Sequence, residues 1–197
     1  MSAAVSLILR ASLAACFAGH GVVALTVHAP WLAFFALFGI EQAAARVLMP
    51  LVGALDLVVA VLLLARPCRA LYLWAAAWTL FTAILRPLAG GELIDLIARA
   101  ANWAPPLALL LLTGRPRWLA RADASSPSAR ARDLAMALLA LATAAIGAGF
   151  AVRGVGMRSW AIHGVLDVFT LIERAGVVGV PAALITLVVA TARRRGC

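Results

Sequence analysis

Long apolar stretches alternate with short polar or basic ones along the whole chain, a pattern that predicts membrane helices of about 20 residues each. The first apolar run spans about Ala4 to Val27, with Arg10 in its first turns. A cleavable leader is the competing reading of this run, and Pro30 directly after Val27-His28-Ala29 disfavours processing there. Pro30 to Ile40 carries Trp31, Phe34, Phe35 and Phe38. It is too short to cross, so it is expected at the membrane interface, where aromatic rings are favoured. The polar stretch Glu41 to Arg46 leads into a second helix, about Val47 to Ala65. A third runs from about Leu71 to Leu85, where Arg86-Pro87 is expected to end it, because proline lacks the N–H that continues the ladder.

Glu92 to Trp103 reads as a short amphipathic segment, followed by a fourth helix from Ala104 to Thr113 with Pro105 and Pro106 at its entry. Gly114 to Arg132 is the least apolar stretch and holds five arginines around Ser125-Ser126-Pro127-Ser128, so it is a loop. Leu134 to Val152 is a fifth helix. Arg153 to Arg174 is a second polar segment, and Ala175 to Ala192 is the last helix, closed by Arg193-Arg194-Arg195. The expected fold is an all-α, polytopic bundle of about six membrane helices. Residues 1–113 form four of them, 114–132 a basic loop, and 133–197 a further hairpin on the same bundle.

Composition supports the class. The chain is 65% hydrophobic with a mean hydropathy of +1.03. Its 17 basic residues are all arginine, and its net charge is +9. In a membrane protein such a charge reports cytoplasmic loops rather than a nucleic-acid partner. With the amino terminus inside and six alternating helices, eleven of the 17 arginines fall inside with two of the eight acids. That asymmetry orients both termini to the cytoplasm, with the two polar segments on the outer side of the membrane. Cys16, Cys68 and Cys197 form no CxxC pair and have no zinc-like spacing.

The candidate chemistry starts at the stretch Gly53 to Arg69, where Asp56 is a carboxylate near the middle of the second helix, about Val47 to Ala65. An ionisable group at membrane depth needs a partner, a proton or a polar cavity. Asp56 is therefore expected to be buried in the bundle, and protonated or paired with His20 or an arginine. Gly53, Asp56 and Ala60 share a helix face, and small residues there let another helix approach closely. Ser12, Cys16 and His20 share a face of the first helix. On the outer side polar groups gather: Glu41, Arg86, Glu92, Asp95, Arg99, Asn102, Arg158, His163, Asp167, Glu173 and Arg174, with Trp31, Trp103 and Trp160 among them. They line either a pocket or an ordinary solvated rim. Two segments echo each other at an offset of 75, Leu96 to Leu109 and Leu171 to Leu184, as expected from a duplicated hairpin or from chance in an alanine-rich chain.

Several short motifs also recur in a known family: Gly19-His20-Gly21, Gly53-Ala54-Leu55-Asp56-Leu57, Arg66-Pro67-x-Arg69, Trp78-Thr79, and Asn102-Trp103-x-Pro105-Pro106-Leu107-Ala108-Leu109. Through them, residues 5 to 113 resemble the DoxX-like family of small bacterial membrane proteins. The resemblance implies a four-helix bundle, to which this chain adds two helices. Some members of that family are subunits of quinone-linked oxidoreductases.

No HExxH, glycine-rich phosphate loop, GxSxG elbow or cysteine pair is present, which weighs against hydrolase, nucleotide-binding and thiol-redox functions. No catalytic or metal-ligating set is assigned. The candidate ligand-binding residues are His20, Asp56, Trp78, Arg86, Asn102, Trp103 and His163. The function expected first is an accessory subunit of an electron-transfer or envelope complex, with partner subunits or a homo-oligomer in the membrane. The alternative is a protein that itself binds a quinone or lipid-like molecule near the periplasmic leaflet, with Asp56 exchanging protons. A haem held by His20 and His163 is the disfavoured option.

Overall fold

The computed structural model describes residues 3–114, 118–122, 127–153, 168, 172 and 174–195. Regular structure among them is helical: α1 (Ala3–Leu25), a 3-10 turn (Ala29–Trp31), α2 (Leu32–Ala36), α3 (Gln42–Ala65), α4 (Arg69–Leu88), α5 (Leu93–Ala98), α6 (Ala100–Leu112), α7 (Ala129–Arg153) and α8 (Gly176–Arg195). α1, α3, α4 and most of α7 and α8 are each long and apolar enough to cross a membrane. The described residues thus form a multi-pass helical arrangement with five candidate spans among them. α6, which corresponds to the expected fourth crossing, has 13 residues. It is therefore about 20 Å long, short of a hydrocarbon core of about 30 Å.

Prolines account for most boundary differences. Pro87 does not stop α4, which runs one residue further to Leu88 with Pro87 in its last turn. α3 begins five residues before the expected Val47 and carries Pro50 inside. α6 begins at Ala100, so Pro105 and Pro106 lie within it rather than at its entry. Each internal proline removes one i−4 hydrogen bond, and in a packed membrane bundle neighbouring helices make such positions tolerable. At Pro105 the relieved carbonyl is that of Ala101, and Gly176 of α8 packs directly against it.

α1 is the central helix and packs on α3, α6 and α8, while α4 packs chiefly on α6 and α7 on α6 and α8. A continuous core joins Leu9, Leu13 and Phe17 of α1 to Leu63 of α3 and Tyr72 of α4. It continues through Leu109 and Leu112 of α6 to Leu139 of α7 and Val180 of α8. Two glycine contacts set the closest approaches. A Cβ on Gly53 would lie 2.6 Å from the carbonyl oxygen of Gly21, so α1 and α3 cross backbone to backbone. On α8, Gly179 packs against the Ser12 side chain of α1. Without a hydrophobic drive between helices in lipid, such close packing is what holds them together. Outward from the core, α3 exposes Val47, Leu51, Val58 and Val61, an apolar face suited to lipid.

The end of the bundle where α1 begins is closed by two arginines. Arg10 donates to the carbonyl oxygens of Leu63 (3.1 Å) and Leu64 (2.9 Å) at the C-terminus of α3. Arg69 donates to those of Leu110, Thr113 and Gly114 (3.0–3.2 Å) at the C-terminus of α6. The last four carbonyls of a helix lack intrahelical donors, and a cation there also meets the negative end of the helix dipole. Arg69 further stacks on Trp118, 5.1 Å from its ring centre. Around it the 118–122 segment is pinned to the α3–α4 turn through Ala122 N–H to Pro67 (2.7 Å) and Ala70 N–H to Trp118 (3.2 Å).

Candidate functional site

The opposite half of the bundle is built differently. α3 leans on α1 and α4 leans on α6, so the two touch little beyond their shared turn. Between them lies a cavity of about 210 Å³. The segment after α1 covers it. Val27, at a φ of 56°, turns the chain out of α1. The 3-10 turn and α2 then lay Trp31, Phe34, Phe35 and Phe38 over the opening. The stretch too short to cross is therefore a lid of aromatic rings.

The walls come from both sides of the Gly21–Gly53 crossing. His20 projects from α1 beside Gly21, and Asp56 lies one turn beyond Gly53 on α3. The close backbone approach brings the two short motifs to one space. α4 supplies Trp78, Thr79, Thr82 and Arg86 along one stripe, and Arg99 and Asn102 come from the α5–α6 junction. Arg99 and Asn102 are one turn apart, and α5 is started by Asp95, whose carboxylate accepts from the Glu92 N–H at 3.2 Å.

An aromatic ladder runs beside the cavity. Trp74 stacks on Trp78 (5.8 Å, 9° between planes), Trp78 meets Phe81 (5.9 Å), and Phe81 meets Phe38 of the lid (6.1 Å). Trp31 of the lid meets His20 edge-on at 5.5 Å and His28 at 5.2 Å. Arg86 lies over Phe34, 5.8 Å from the ring centre.

Asp56 is 5% exposed. The Trp78 indole lines the same cavity beside it. Among the described residues the Asp56 Oδ1 has no hydrogen-bond partner. Asp56 is thus buried in the bundle, as expected, with the Trp78 indole as a neighbour. His20 has the Cys16 Sγ 3.9 Å from its Nδ1. Ser12, on the same face, donates to its own helix at Ile8 (2.7 Å) and faces α8.

Of the candidate residues, His20, Asp56, Trp78, Arg86 and Asn102 line this one cavity. Trp103 does not. It follows Asn102 by one position, about 100° around the helix, and packs on the hydrophobic core instead. His163 lies outside the described residues, as do Arg158, Trp160, Asp167 and Glu173. Thr79, Thr82 and the lid phenylalanines were not among the candidates. The 79/82/86 spacing of polar residues on a single apolar helix is the signal that marks the first two. Among the described residues no group of three His, Cys, Asp or Glu side chains is placed to hold a metal ion.

Fold and site together define a multi-pass helical membrane protein with a ring-walled, polar-ended cavity in one half of its bundle. Compared with family models, curated proteins and solved structures, the chain matches none.

Proposed function

We propose that the protein binds a small amphipathic molecule, quinone-like or lipid-like, in the cavity between α3, α4 and the aromatic lid. The observation that carries this reading is Asp56: a buried carboxyl group on a membrane-crossing helix, aimed into a cavity, with one oxygen lacking a partner. A polar atom so placed costs free energy unless something bonds to it. At a liquid volume of ~30 Å³ per water, the cavity has room for roughly seven waters, far more than a single bridging water needs. Its rings suit a flat or chain-like apolar body, and a few convergent polar groups suit a headgroup. Phe38 and Phe81 line the cavity and are 59% and 41% exposed. They form its mouth on the lipid-facing side, so the ligand enters from the bilayer. An ionised carboxylate only accepts, and a protonated one donates as well. A hydroxyl satisfies either state, which favours a quinol over a quinone and lets Asp56 exchange a proton with it.

The membrane setting of this proposal is a bacterial inner membrane, with the arginine-capped end and both termini in the cytoplasm and the short α6 counted as a sixth crossing. The resemblance to DoxX-like proteins points the same way. A single cysteine at Ser128, in a background without Cys16, Cys68 and Cys197, tests the orientation. It stays unlabelled by a membrane-impermeant reagent in intact cells; labelling there reverses the topology.

An accessory-subunit role keeps one observation in its favour, the apolar outer face of α3. Lipid covers such a face equally well, so the cavity ranks first. Gentle-detergent purification followed by solvent extraction and mass spectrometry decides between them. The ligand reading expects a co-purified amphiphile near one per chain. A stoichiometric protein partner with no bound small molecule would establish the subunit role instead.

A further inference from the structure

The aromatic lid is attached to the bundle differently from the long helices. No residue from 25 to 44 is buried. The backbone hydrogen bonds at its turns stay within the segment: Trp31 N–H to His28, Phe38 N–H and Ile40 N–H to Phe35, and Gly39 N–H to Ala36. What holds it over the cavity is a set of ring contacts. Trp31 meets His20 of α1, Phe34 lies under Arg86 of α4, and Phe38 meets Phe81 of α4. Both ends of the segment have left-handed backbone. Val27 enters it at a φ of 56°, and Gly39 leaves it at 70°. Glycine adopts that conformation readily, and a Cβ at Gly39 would meet nothing within 4 Å. A β-branched residue in the same region is strained, and such strain persists only where neighbouring contacts enforce it. The closed lid is therefore a balance, with ring contacts on one side and the Val27 backbone on the other.

From this we infer that residues 28–40 form a gate that swings as a unit on Val27 and Gly39, with the Phe38–Phe81 contact as its latch. Thr79 and Asp56, on the wall of the cavity, are 3% and 5% exposed. The wall is shut in the closed form, so a molecule that reaches it has to pass the lid. Opening separates the three ring contacts and lets Val27 relax to an ordinary φ. Because the segment carries its turn hydrogen bonds with it, the swing breaks none of them, which matters where no water replaces a lost bond. Single ring contacts are individually weak, so they suit a latch better than a buried core would. The gate goes beyond the ligand-binding reading and does not depend on which molecule binds.

The test is the rate at which N-phenylmaleimide, a small lipid-soluble reagent, labels a single cysteine in the full chain in phosphatidylcholine vesicles, read by mass spectrometry. Thr79→Cys, in a background without Cys16, Cys68 and Cys197, reports the shut wall. Val58→Cys, at a position 54% exposed on the outer face of α3, reports the fold. While reclosing outpaces labelling, the rate at Thr79→Cys follows the open fraction. Neither hinge residue lines the cavity, so variants there alter the swing and not the mouth. Val27→Asn places a residue that tolerates the left-handed region at the strained hinge. It favours the closed lid and should slow labelling of Thr79→Cys on the order of fivefold. Gly39→Ala penalises the closed backbone instead and should speed labelling by a similar factor. Both should leave the rate at Val58→Cys unchanged. Equal rates at Thr79→Cys with and without the hinge variants overturn the gate. So do no labelling there at all, a shift of both variants in one direction, or a parallel shift at Val58→Cys. The outcome is separate from that for the ligand: a co-purified amphiphile with insensitive hinges leaves the ligand reading standing and removes only the gate.

Discussion

The two ends of this bundle put the same kinds of polar residue to different uses. At the arginine end, Arg10 and Arg69 donate to backbone carbonyls at the C-terminal ends of α3 and α6. Each cation there answers a local need, because helix C-termini expose carbonyls and carry partial negative charge. At the cavity end, Asp56 has an oxygen without a hydrogen-bond partner among the described residues, and the surrounding side chains come from α1, the 3-10 turn, α2, α3, α4 and α6. A polar group bonded to the backbone carbonyls of neighbouring helix ends is part of the scaffold. A polar group that faces a cavity with bonding capacity left over is placed for something that binds there. The first kind should matter for stability, and the second for ligand.

The largest expected effect breaks the framework on which both ends depend. Gly53→Val puts a side chain into space already taken, since a Cβ there would lie 2.6 Å from the Gly21 carbonyl oxygen. Overpacking of this kind costs about 3 kcal/mol or more when backbone must move. The variant should give no monodisperse peak in size-exclusion chromatography. A well-folded Gly53→Val protein would mean that the α1–α3 crossing does not set the geometry of the cavity.

Arg69→Ala comes next. It removes a charged donor shared by three carbonyls and the stacking on Trp118, a loss of about 2–3 kcal/mol. In a chain of this size that lowers the thermal midpoint by roughly 5–10 °C. Lysine at the same position should recover part of the loss, because one ammonium nitrogen can meet the carbonyls that Arg69 meets through Nη1 alone, while the guanidinium plane that stacks on Trp118 is lost. Arg10→Ala is the milder test of the same idea. It loses two bonds, one of them exposed, and should cost about 1 kcal/mol in the same melting experiment.

The smallest expected effect on stability is at Asp56. Replacing a buried, half-satisfied carboxyl group by an apolar residue of similar size is close to neutral or stabilising. Asp56→Leu should therefore shift the thermal midpoint by no more than that of Arg10→Ala, and in the upward direction. A large fall would place Asp56 with the arginines as a structural group.

Much of this contrast was legible in the chain. Apolar runs mark the helices, and the rarity of a carboxylate at membrane depth marks Asp56 on sequence alone. Small residues around it point to a close helix contact, which Gly53 makes with Gly21. What was not legible is non-local. The bonds from Arg69 reach carbonyls 41 to 45 residues away, and no local pattern encodes such a partner. The aromatic stretch after α1 announces an interface, but whether it lies on lipid or folds over a cavity depends on the gap between α3 and α4. Trp103 shows the limit from the other side. Its neighbour Asn102 faces the cavity, and one step along the helix turns the indole to the core. Prolines mislead for a related reason, since a packed neighbour such as Gly176 accommodates a break that an isolated helix would not.

The central claim is that the polar groups of the cavity end serve a ligand and not the fold. Asp56→Asn tests it most directly, because it keeps the shape and removes the charge and the proton. Purified side by side in gentle detergent, the unaltered protein and the variant are compared for co-purified amphiphile by mass spectrometry and for thermal midpoint. The account predicts a fall in occupancy of about tenfold, a loss near ~1.4 kcal/mol of binding, with the midpoint unchanged within about 2 °C. Unchanged occupancy, or a midpoint that drops as far as that of Arg69→Ala, would contradict it.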